Sequence, residues 1–144
     1  MDEPLLDGPR APDSVVPPPE HRVSGLIPFV HVANVQRSID FYHHLGFAVA
    51  SVYKYRGQPA WAELRSEGAE LMVTTGDAVD QAGQGVLFYL YSGDLAALRG
   101  QLVAAGIDVG EIEDGTPGPR EEMELRDPDG YVLKIAQIEP EESG

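Results

Sequence analysis

The segment that decides the fold runs from Ile27 to Val49 and reads IPFVHVANVQRSIDFYHHLGFAV. It begins with β-branched and aromatic residues, which favour a strand, and continues to Asn34, a residue type that caps helix N-termini. Apolar residues at helical spacing then lead to Gly46, a typical helix stop. The pattern predicts a strand followed by a helix that ends at a glycine.

The same pattern recurs 60 residues later, from Leu87 to Val109, as LFYLYSGDLAALRGQLVAAGIDV. Asp94 takes the capping position there, and Gly106 takes the helix stop. Strand-like sequence follows each glycine: AVASVYKYRG, PAWAELRS and ELMVTT in the first half, and DVGEI, EEMELR and YVLKIAQI in the second. The sequence DPDG at residues 127–130 is a strong turn signal before the last of these strands. The repeat therefore predicts two βαβββ modules, each with a four-stranded sheet.

The length of 144 residues suits one domain with short terminal extensions. Residues 1–24 hold half of the twelve prolines, so we expect an extended acidic tail there, or else an arm that docks on another subunit. Residues 25–138 are predicted to form a single domain, with modules at about 25–80 and 85–138. A second acidic tail is expected at residues 139–144.

Charge and composition narrow the function classes. The chain has 10 Lys and Arg against 24 Asp and Glu, a net charge of -14, which is the wrong sign for binding nucleic acid. Such a charge attracts cationic small molecules. The apolar runs are far shorter than the ~20 residues of a membrane span, so no membrane partner is expected. The absence of cysteine excludes disulfides and thiolate metal sites, and the acidic N-terminus is unlike a secretory signal, so we expect a cytoplasmic protein.

Two motifs resemble those of the vicinal oxygen chelate superfamily, which includes glyoxalase I, extradiol dioxygenases, fosfomycin-inactivating enzymes and bleomycin-resistance proteins. They are SIDFY at residues 38–42 with LGF at residues 45–47, and DPDGY at residues 127–131. The resemblance covers roughly Leu26 to Ile138. It implies an α+β fold in which two βαβββ modules form curved mixed sheets around a cavity, with the helices on the convex faces. It also implies a homodimer that completes the cavity.

The metal-dependent members of this superfamily draw four ligands, which are His, Glu or Gln, from the first and last strands of the two modules. The matching positions in this chain are Ile27, Met72, Leu87 and Lys134. None is a usual ligand, and a protonated lysine has no lone pair to offer. Moving one strand by two residues would bring Glu70 into a ligand position but would supply only one ligand. We therefore expect no metal and no cofactor, and metal-dependent glyoxalase or dioxygenase chemistry is not expected.

Strand alternation predicts which side chains share the cavity face. A tight turn from Ser66 to Ala69 would pair Arg65 with Glu70, Glu63 with Met72, and Trp61 with Thr74. For the strand at residues 121–126, alternation leaves open whether Met123 and Leu125 or Glu122 and Glu124 face the cavity. The candidate ligand-binding residues are His31, Trp61, Glu63, Glu70, Met72, Tyr89, Tyr91 and Lys134.

Each candidate also has a structural interpretation. His31 could act as a general base or cation acceptor, or simply line the pocket. The aromatic candidates could stack on a cationic ligand or pack in the core. Glu63 and Glu70 could bind a positive group, or Glu70 could pair with Arg65. Lys134 could hold a ligand carboxylate or neutralise an acidic neighbour.

These observations favour a metal-independent protein that sequesters an aromatic and cationic small molecule in a dimeric crevice, similar to the bleomycin-resistance branch. One alternative is an enzyme of the same superfamily, of lyase, isomerase or dioxygenase type, that uses His31 with Glu63 or Glu70 or a rearranged metal site. Another is a regulatory or structural subunit whose cavity is filled by its own side chains. The sequence assigns no catalytic residue.

Overall fold

The computed structural model describes residues 16–17, 19–21, 25–76, 85–116 and 120–138. Most of the predicted N-terminal tail and the whole C-terminal tail lie outside the described residues. The two βαβββ-type modules follow one another along the chain. The first comprises β1 (Phe29–Val32), α1 (Val35–His43), β2 (Ala48–Tyr55), β3 (Gln58–Ser66) and β4 (Ala69–Thr75). The second comprises β5 (Phe88–Ser92), α2 (Leu95–Ala104), β6 (Glu122–Arg126) and β7 (Val132–Gln137).

Both helices begin and end where the sequence predicts. The side chain of Asn34 accepts a hydrogen bond from the backbone N–H of Arg37, and Asp94 accepts one from Ala97. Gly46 and Gly106 follow the helices with φ of 97° and 80°, a left-handed conformation that costs glycine little. The local signals at the helix ends are therefore sufficient to define α1 and α2.

The strands form two curved mixed sheets that do not close into a barrel, which confirms the predicted α+β fold class. The first sheet has the order β1-β4-β3-β2, and the second has the order β5-β7-β6. In each sheet the first strand of the module pairs in parallel with the last. The remaining pairs are antiparallel.

The second sheet differs from the prediction because it has three strands. The segment after α2 makes only isolated bridges, from Val109 to Leu125 and from Glu113 to Glu122. The described part of this segment, residues 108–116, reads DVGEIEDGT and is rich in glycine and acidic residues, which are poor strand formers. It therefore meets β6 at two bridges without forming a continuous ladder.

One hydrophobic core joins the two modules. The helix-facing side chains of both sheets are buried in it, as alternation predicts, and they include Val32, Ala62, Leu64, Leu71, Val73, Leu133 and Ile135. Contacts between the modules add polar ties, among them a hydrogen bond from the Tyr42 hydroxyl to Asp127. Asp129 accepts hydrogen bonds from the backbone N–H of Ala33 and from the side chain of Arg37. No helix among the described residues is long and apolar enough to cross a membrane.

Candidate functional site

The β3–β4 hairpin has the predicted register. Trp61 lies opposite Thr74, Glu63 opposite Met72, and Arg65 opposite Glu70. Because paired residues on adjacent strands project to the same face, all six share the face opposite the core. The candidates of the first module therefore lie together on this concave face.

A row of side chains crosses the whole first sheet. His31 pairs with Thr74, Thr74 with Trp61, and Trp61 with Tyr53 on the edge strand. Tyr53 is 60% exposed, and its ring belongs to the same face as Trp61. The row combines an imidazole, a hydroxyl and two aromatic rings, so it offers a stacking surface with polar atoms at one end.

Tyr53 is not among the predicted candidates, and its place in the row depends on a β-bulge. The hairpin turn pairs Tyr55 with Gln58, and uninterrupted counting from there would place Tyr53 opposite Ala60, whose side chain projects to the face opposite that of Trp61. The register shifts between Tyr53 and Lys54, which moves Tyr53 onto Trp61. The carbonyl of Ala60 at this irregularity accepts a hydrogen bond from the Thr74 hydroxyl at 3.3 Å. Nothing in the local sequence marks the bulge.

The position of His31 depends on a close backbone neighbour. Gly76 follows β4 and donates its N–H to the carbonyl of Val32. A Cβ atom at Gly76 would come within 2.9 Å of Cγ of the His31 ring. The backbone carbonyl of His31 accepts a hydrogen bond from the Tyr131 hydroxyl at 3.1 Å, which ties this end of the row to the second module.

The two candidate carboxylates of the first module, Glu63 and Glu70, are both engaged by one arginine. Arg65 Nη2 lies 3.0 Å from Glu63 Oε2, and Arg65 Nε lies 3.7 Å from Glu70 Oε1. The structure thus contains the Arg65–Glu70 ion pair considered from the sequence, and it adds a pair between Arg65 and Glu63 that was not predicted. A cationic ligand group would compete with Arg65 for either carboxylate.

The candidates of the second module form a separate cluster. The Tyr89 hydroxyl donates a hydrogen bond to Glu122, and Lys134 Nζ lies 3.7 Å from the other oxygen of Glu122. The hydrogen bond to Glu122 is the main cause that raises the pKa of Tyr89, so its phenol remains protonated. The ring of Tyr91 meets Tyr89 edge to face, with centroids 5.4 Å apart. The guanidinium of Arg120 lies 5.8 Å from the Tyr91 centroid.

The structure also decides the open question about β6. Met123 and Leu125 are buried in the core, and Glu124 pairs with Lys134 on the opposite face. Glu122 and Glu124 thus share the concave side with Tyr89 and Lys134, as charge matching indicates. Glu122, whose Oε1 lies 3.7 Å from Lys134 Nζ, offsets the charge of this lysine, which is one of the two roles considered for it.

The four positions equivalent to superfamily metal ligands do not form a donor set. Met72 pairs with Phe29, and Lys134 pairs with Tyr89, so the first and last strands have the same register in both modules. This register excludes the two-residue slip that would place Glu70 in a ligand position. Ile27 and Leu87 are aliphatic and offer no lone pair. Among the described residues, no group of three or more His, Asp or Glu side chains is arranged to hold a metal ion.

Comparison with known structures supports the fold. A bleomycin resistance determinant encoded on the transposon Tn5 has 21% sequence identity, covers 81% of this chain and 99% of its own, and has a TM-score of 0.66. A bleomycin-binding protein complexed with bleomycin has the same identity and TM-score, with 81% and 100% covered. TnmS3, an antibiotic binding protein from Streptomyces sp. CB03234, has 22% identity and a TM-score of 0.62, with 83% and 100% covered.

No protein of curated function matches the sequence significantly. The family comparison, in contrast, matches residues 21–135, which include both motifs, the whole first module and the second module up to the middle of β7. The resemblance drawn from SIDFY, LGF and DPDGY is thereby confirmed. The chain belongs to the Glyoxalase/Bleomycin resistance protein/Dioxygenase superfamily.

Proposed function

We propose that this protein binds and sequesters an aromatic, cationic small molecule on its concave faces, without a metal or cofactor. The observation that carries the proposal is the number of large aromatic side chains left exposed there. Phe29 is 56% exposed, Tyr89 45% and Tyr91 55%. Exposed aromatic surface of this kind is costly in water and is typical of a site that a ligand covers.

The chemistry of the concave faces favours binding over catalysis. Both carboxylates considered as partners for His31 are engaged by Arg65, and Glu122 is engaged by Lys134 and Tyr89. An acid–base enzyme needs a group free to exchange a proton with its substrate. These ion pairs and hydrogen bonds instead hold polar side chains in place near the exposed aromatic rings. Such an arrangement can position a bound ligand.

The openness of the site argues against a purely structural subunit. A cavity closed by its own side chains would bury Tyr89 and Tyr91, but both rings remain about half exposed. Cation binding is supported by the net charge of -14 and by aromatic faces that attract cations by ~0.5–2 kcal/mol each. Structural neighbours of low identity include proteins that bind bleomycin, which makes metal-free bleomycin a reasonable first probe.

Trp61 is the only tryptophan of the chain, so its fluorescence reports directly on the concave face. We expect titration with metal-free bleomycin, or with a panel of cationic aromatic antibiotics, to change this fluorescence saturably in the presence of EDTA. Tyr53→Ala and Tyr91→Ala should each weaken binding by roughly tenfold, as loss of an aromatic contact implies. Val103→Ala, an exposed change on α2, is the matched control and should bind as the wild type does.

Failure of the whole panel to change Trp61 fluorescence or the melting temperature at millimolar concentration would refute the proposal. Binding that disappears with EDTA and returns with a divalent ion would refute its metal-independent part. A homodimer, implied by the resemblance, stays a prediction. Sedimentation equilibrium without ligand tests it separately.

A further inference from the structure

Arg120 carries a positive charge in the second module that no described residue neutralises. The side chain is partly buried, and its Nε atom is shielded from solvent without a hydrogen-bond partner. It forms no ion pair with any residue of the described segments. A guanidinium that has lost part of its water and has no acceptor binds an incoming anion more strongly than a fully solvated one does.

The neighbours of Arg120 place it on the concave side of the second sheet. Its guanidinium lies 5.8 Å from the ring centroid of Tyr91, and Glu122, two residues further on, begins β6. Tyr91 and Glu122 both pair with Ala136, so the three residues form one row across the sheet. Paired residues project to the same face, and this face also carries Tyr89. Arg120 therefore lies beside the exposed tyrosines that the proposed ligand covers.

The backbone at Arg120 is held in place on two sides. Glu113 and Glu122 exchange backbone hydrogen bonds of 2.8 and 3.0 Å, which close the base of the loop that contains Arg120. Gly115, in the same loop, has φ of 79°, and a Cβ atom there would clash with the carbonyl oxygen of Arg120. A fixed backbone with an unpaired charged side chain is typical of a residue that binds a ligand.

The carboxylate of Glu122 is already engaged by other groups. Its Oε2 accepts the hydrogen bond from Tyr89, and its Oε1 lies 3.7 Å from Lys134 Nζ. The pKa of Tyr89 is raised chiefly by the hydrogen bond to Glu122, and the positive charge of Arg120 opposes this rise. Arg120 thus acts on this cluster through its charge but is not paired within it. The charges of Glu122 and Lys134 offset each other, which leaves the charge of Arg120 for a ligand.

We propose that Arg120 binds a carboxylate group of the ligand, while the aromatic cationic part of the same ligand lies on the exposed tyrosines. The ligand class is then zwitterionic. This inference rests on the proposed function, because it adds a subsite to the same concave face. It also gives Arg120 the carboxylate-binding role that was considered for Lys134.

A carboxylate fits this position better than a phosphate does. The planar guanidinium presents parallel N–H groups that match the two oxygens of a carboxylate. A phosphate monoester carries about two negative charges at neutral pH. The net charge of -14 opposes the second of these charges, whereas Arg120 balances the single charge of a carboxylate.

Rhodamine B, an aromatic cation that carries a carboxylate, and its methyl ester form a matched pair of probes. We expect fluorescence anisotropy in metal-free buffer to show that the full-length protein binds rhodamine B more tightly than the ester, by roughly fivefold or more. Arg120→Met should abolish this preference and leave the affinity for the ester unchanged. Arg120→Lys retains the charge but loses the planar fork, so it should retain only part of the preference.

Arg56→Met is the matched control. The Arg56 guanidinium also lies close to a tyrosine ring, 5.2 Å from the Tyr55 centroid, and its loss changes the net charge equally. This variant should keep the full preference for rhodamine B, and its loss here would assign the preference to net charge and overturn the proposal. The melting temperatures of all three variants should match that of the wild type.

Three further results would overturn the proposal. They are equal affinity of the wild type for the two probes, a preference that survives in Arg120→Met, and an equal loss of affinity for both probes in Arg120→Met. The last result would mean that Arg120 only holds Tyr91 in place. Binding of the ester without a preference for rhodamine B refutes this inference alone. Failure of both probes, together with failure of the Trp61 titration, refutes the proposed function as well.

Discussion

The hydroxyl of Tyr42 donates a hydrogen bond of 2.7 Å to Oδ2 of Asp127, a residue 85 positions further along the chain. The contact joins the helix of the first module to the turn before the last strand of the second. Oδ1 of Asp127 accepts hydrogen bonds of 2.9 Å from the backbone N–H groups of Asp129 and Tyr131. Burial raises the pKa of Asp127 despite these hydrogen bonds, and burial also raises the pKa of Tyr42 well above its usual value. The phenol is therefore a permanent donor between the modules.

Replacing Tyr42 with phenylalanine should reduce the free energy of unfolding by about 1–3 kcal/mol, because a buried carboxylate oxygen loses its donor. Urea denaturation monitored by circular dichroism measures the change. Tyr55→Phe is the control, since Tyr55 is exposed at the hairpin and its loss of a hydroxyl should change stability by less than ~0.5 kcal/mol. Equal stability of the two variants would show that the Tyr42 contact contributes nothing.

Asp127 should also make stability depend on pH. Its pKa in the folded state is raised, so its ionisation opposes folding: its contribution is most favourable below the unfolded pKa near ~3.9 and declines as pH rises through the folded pKa. Asp127→Asn cannot ionise. We therefore compare the free energy of unfolding of the wild type with that of the variant. The wild-type value minus the variant value should fall as pH rises above about 4 and should become constant once Asp127 is fully ionised in the folded protein.

Denaturation curves for both proteins across this pH range measure the difference. Subtracting one from the other removes the contribution of the remaining titratable groups. A difference that grows in favour of the wild type with rising pH would mean that hydrogen bonds outweigh burial at Asp127.

Gly76→Ala should impair ligand binding more than it impairs folding. The added Cβ would approach the His31 ring to 2.9 Å, so the imidazole must leave its place in the row with Thr74. Gly76 does not have a left-handed conformation, and the effect is therefore one of space alone. We expect weaker ligand binding in the Trp61 fluorescence titration and a small change in melting temperature. Gly68→Ala, where an added Cβ meets no atom within 4 Å, serves as the control.

Arg65→Met should strengthen the binding of cationic ligands. It releases Glu63 and Glu70 from their shared partner and leaves two negative charges on the same face of the sheet as Trp61. Exposed charge contacts contribute ~0.2–1 kcal/mol, so affinity should rise by roughly two- to fivefold at low salt. An aromatic quaternary ammonium compound and its uncharged isostere form the test pair, and Arg126→Met matches the change in net charge. An equal gain for both compounds would contradict the electrostatic explanation.

Most of the local architecture could be predicted from the sequence because it depends on short-range signals. Asn34 and Gly46 delimit the first helix, and period-two alternation places Leu71 and Val73 in the core. The turn after Ser66 fixes the pairing of β3 with β4. These features follow from residues that lie within one element or one turn.

The features that escaped prediction depend on distant or irregular contacts. The Tyr42–Asp127 hydrogen bond requires the two modules to dock, which no local pattern encodes. The placement of Tyr53 depends on a bulge. The sequence of β6 allows either its apolar or its acidic residues to face the cavity. Only the burial of Met123 in the shared core shows that Glu124 projects to the concave face. Individual roles in ligand binding stay predictions.

The second sheet has three strands and the first has four. The second module should therefore tolerate changes of sequence that the first module does not. The segment that takes the place of a fourth strand is held to β6 at Val109 and Glu113, and of these two anchors only Val109 is buried. Insertions or substitutions between the anchors would reshape the groove beside β6, which Gly110 and Glu111 help to line, while the core keeps its packing. Diversification of relatives with this architecture should therefore be concentrated in one half. The complete first sheet, in contrast, can vary only through its surface side chains.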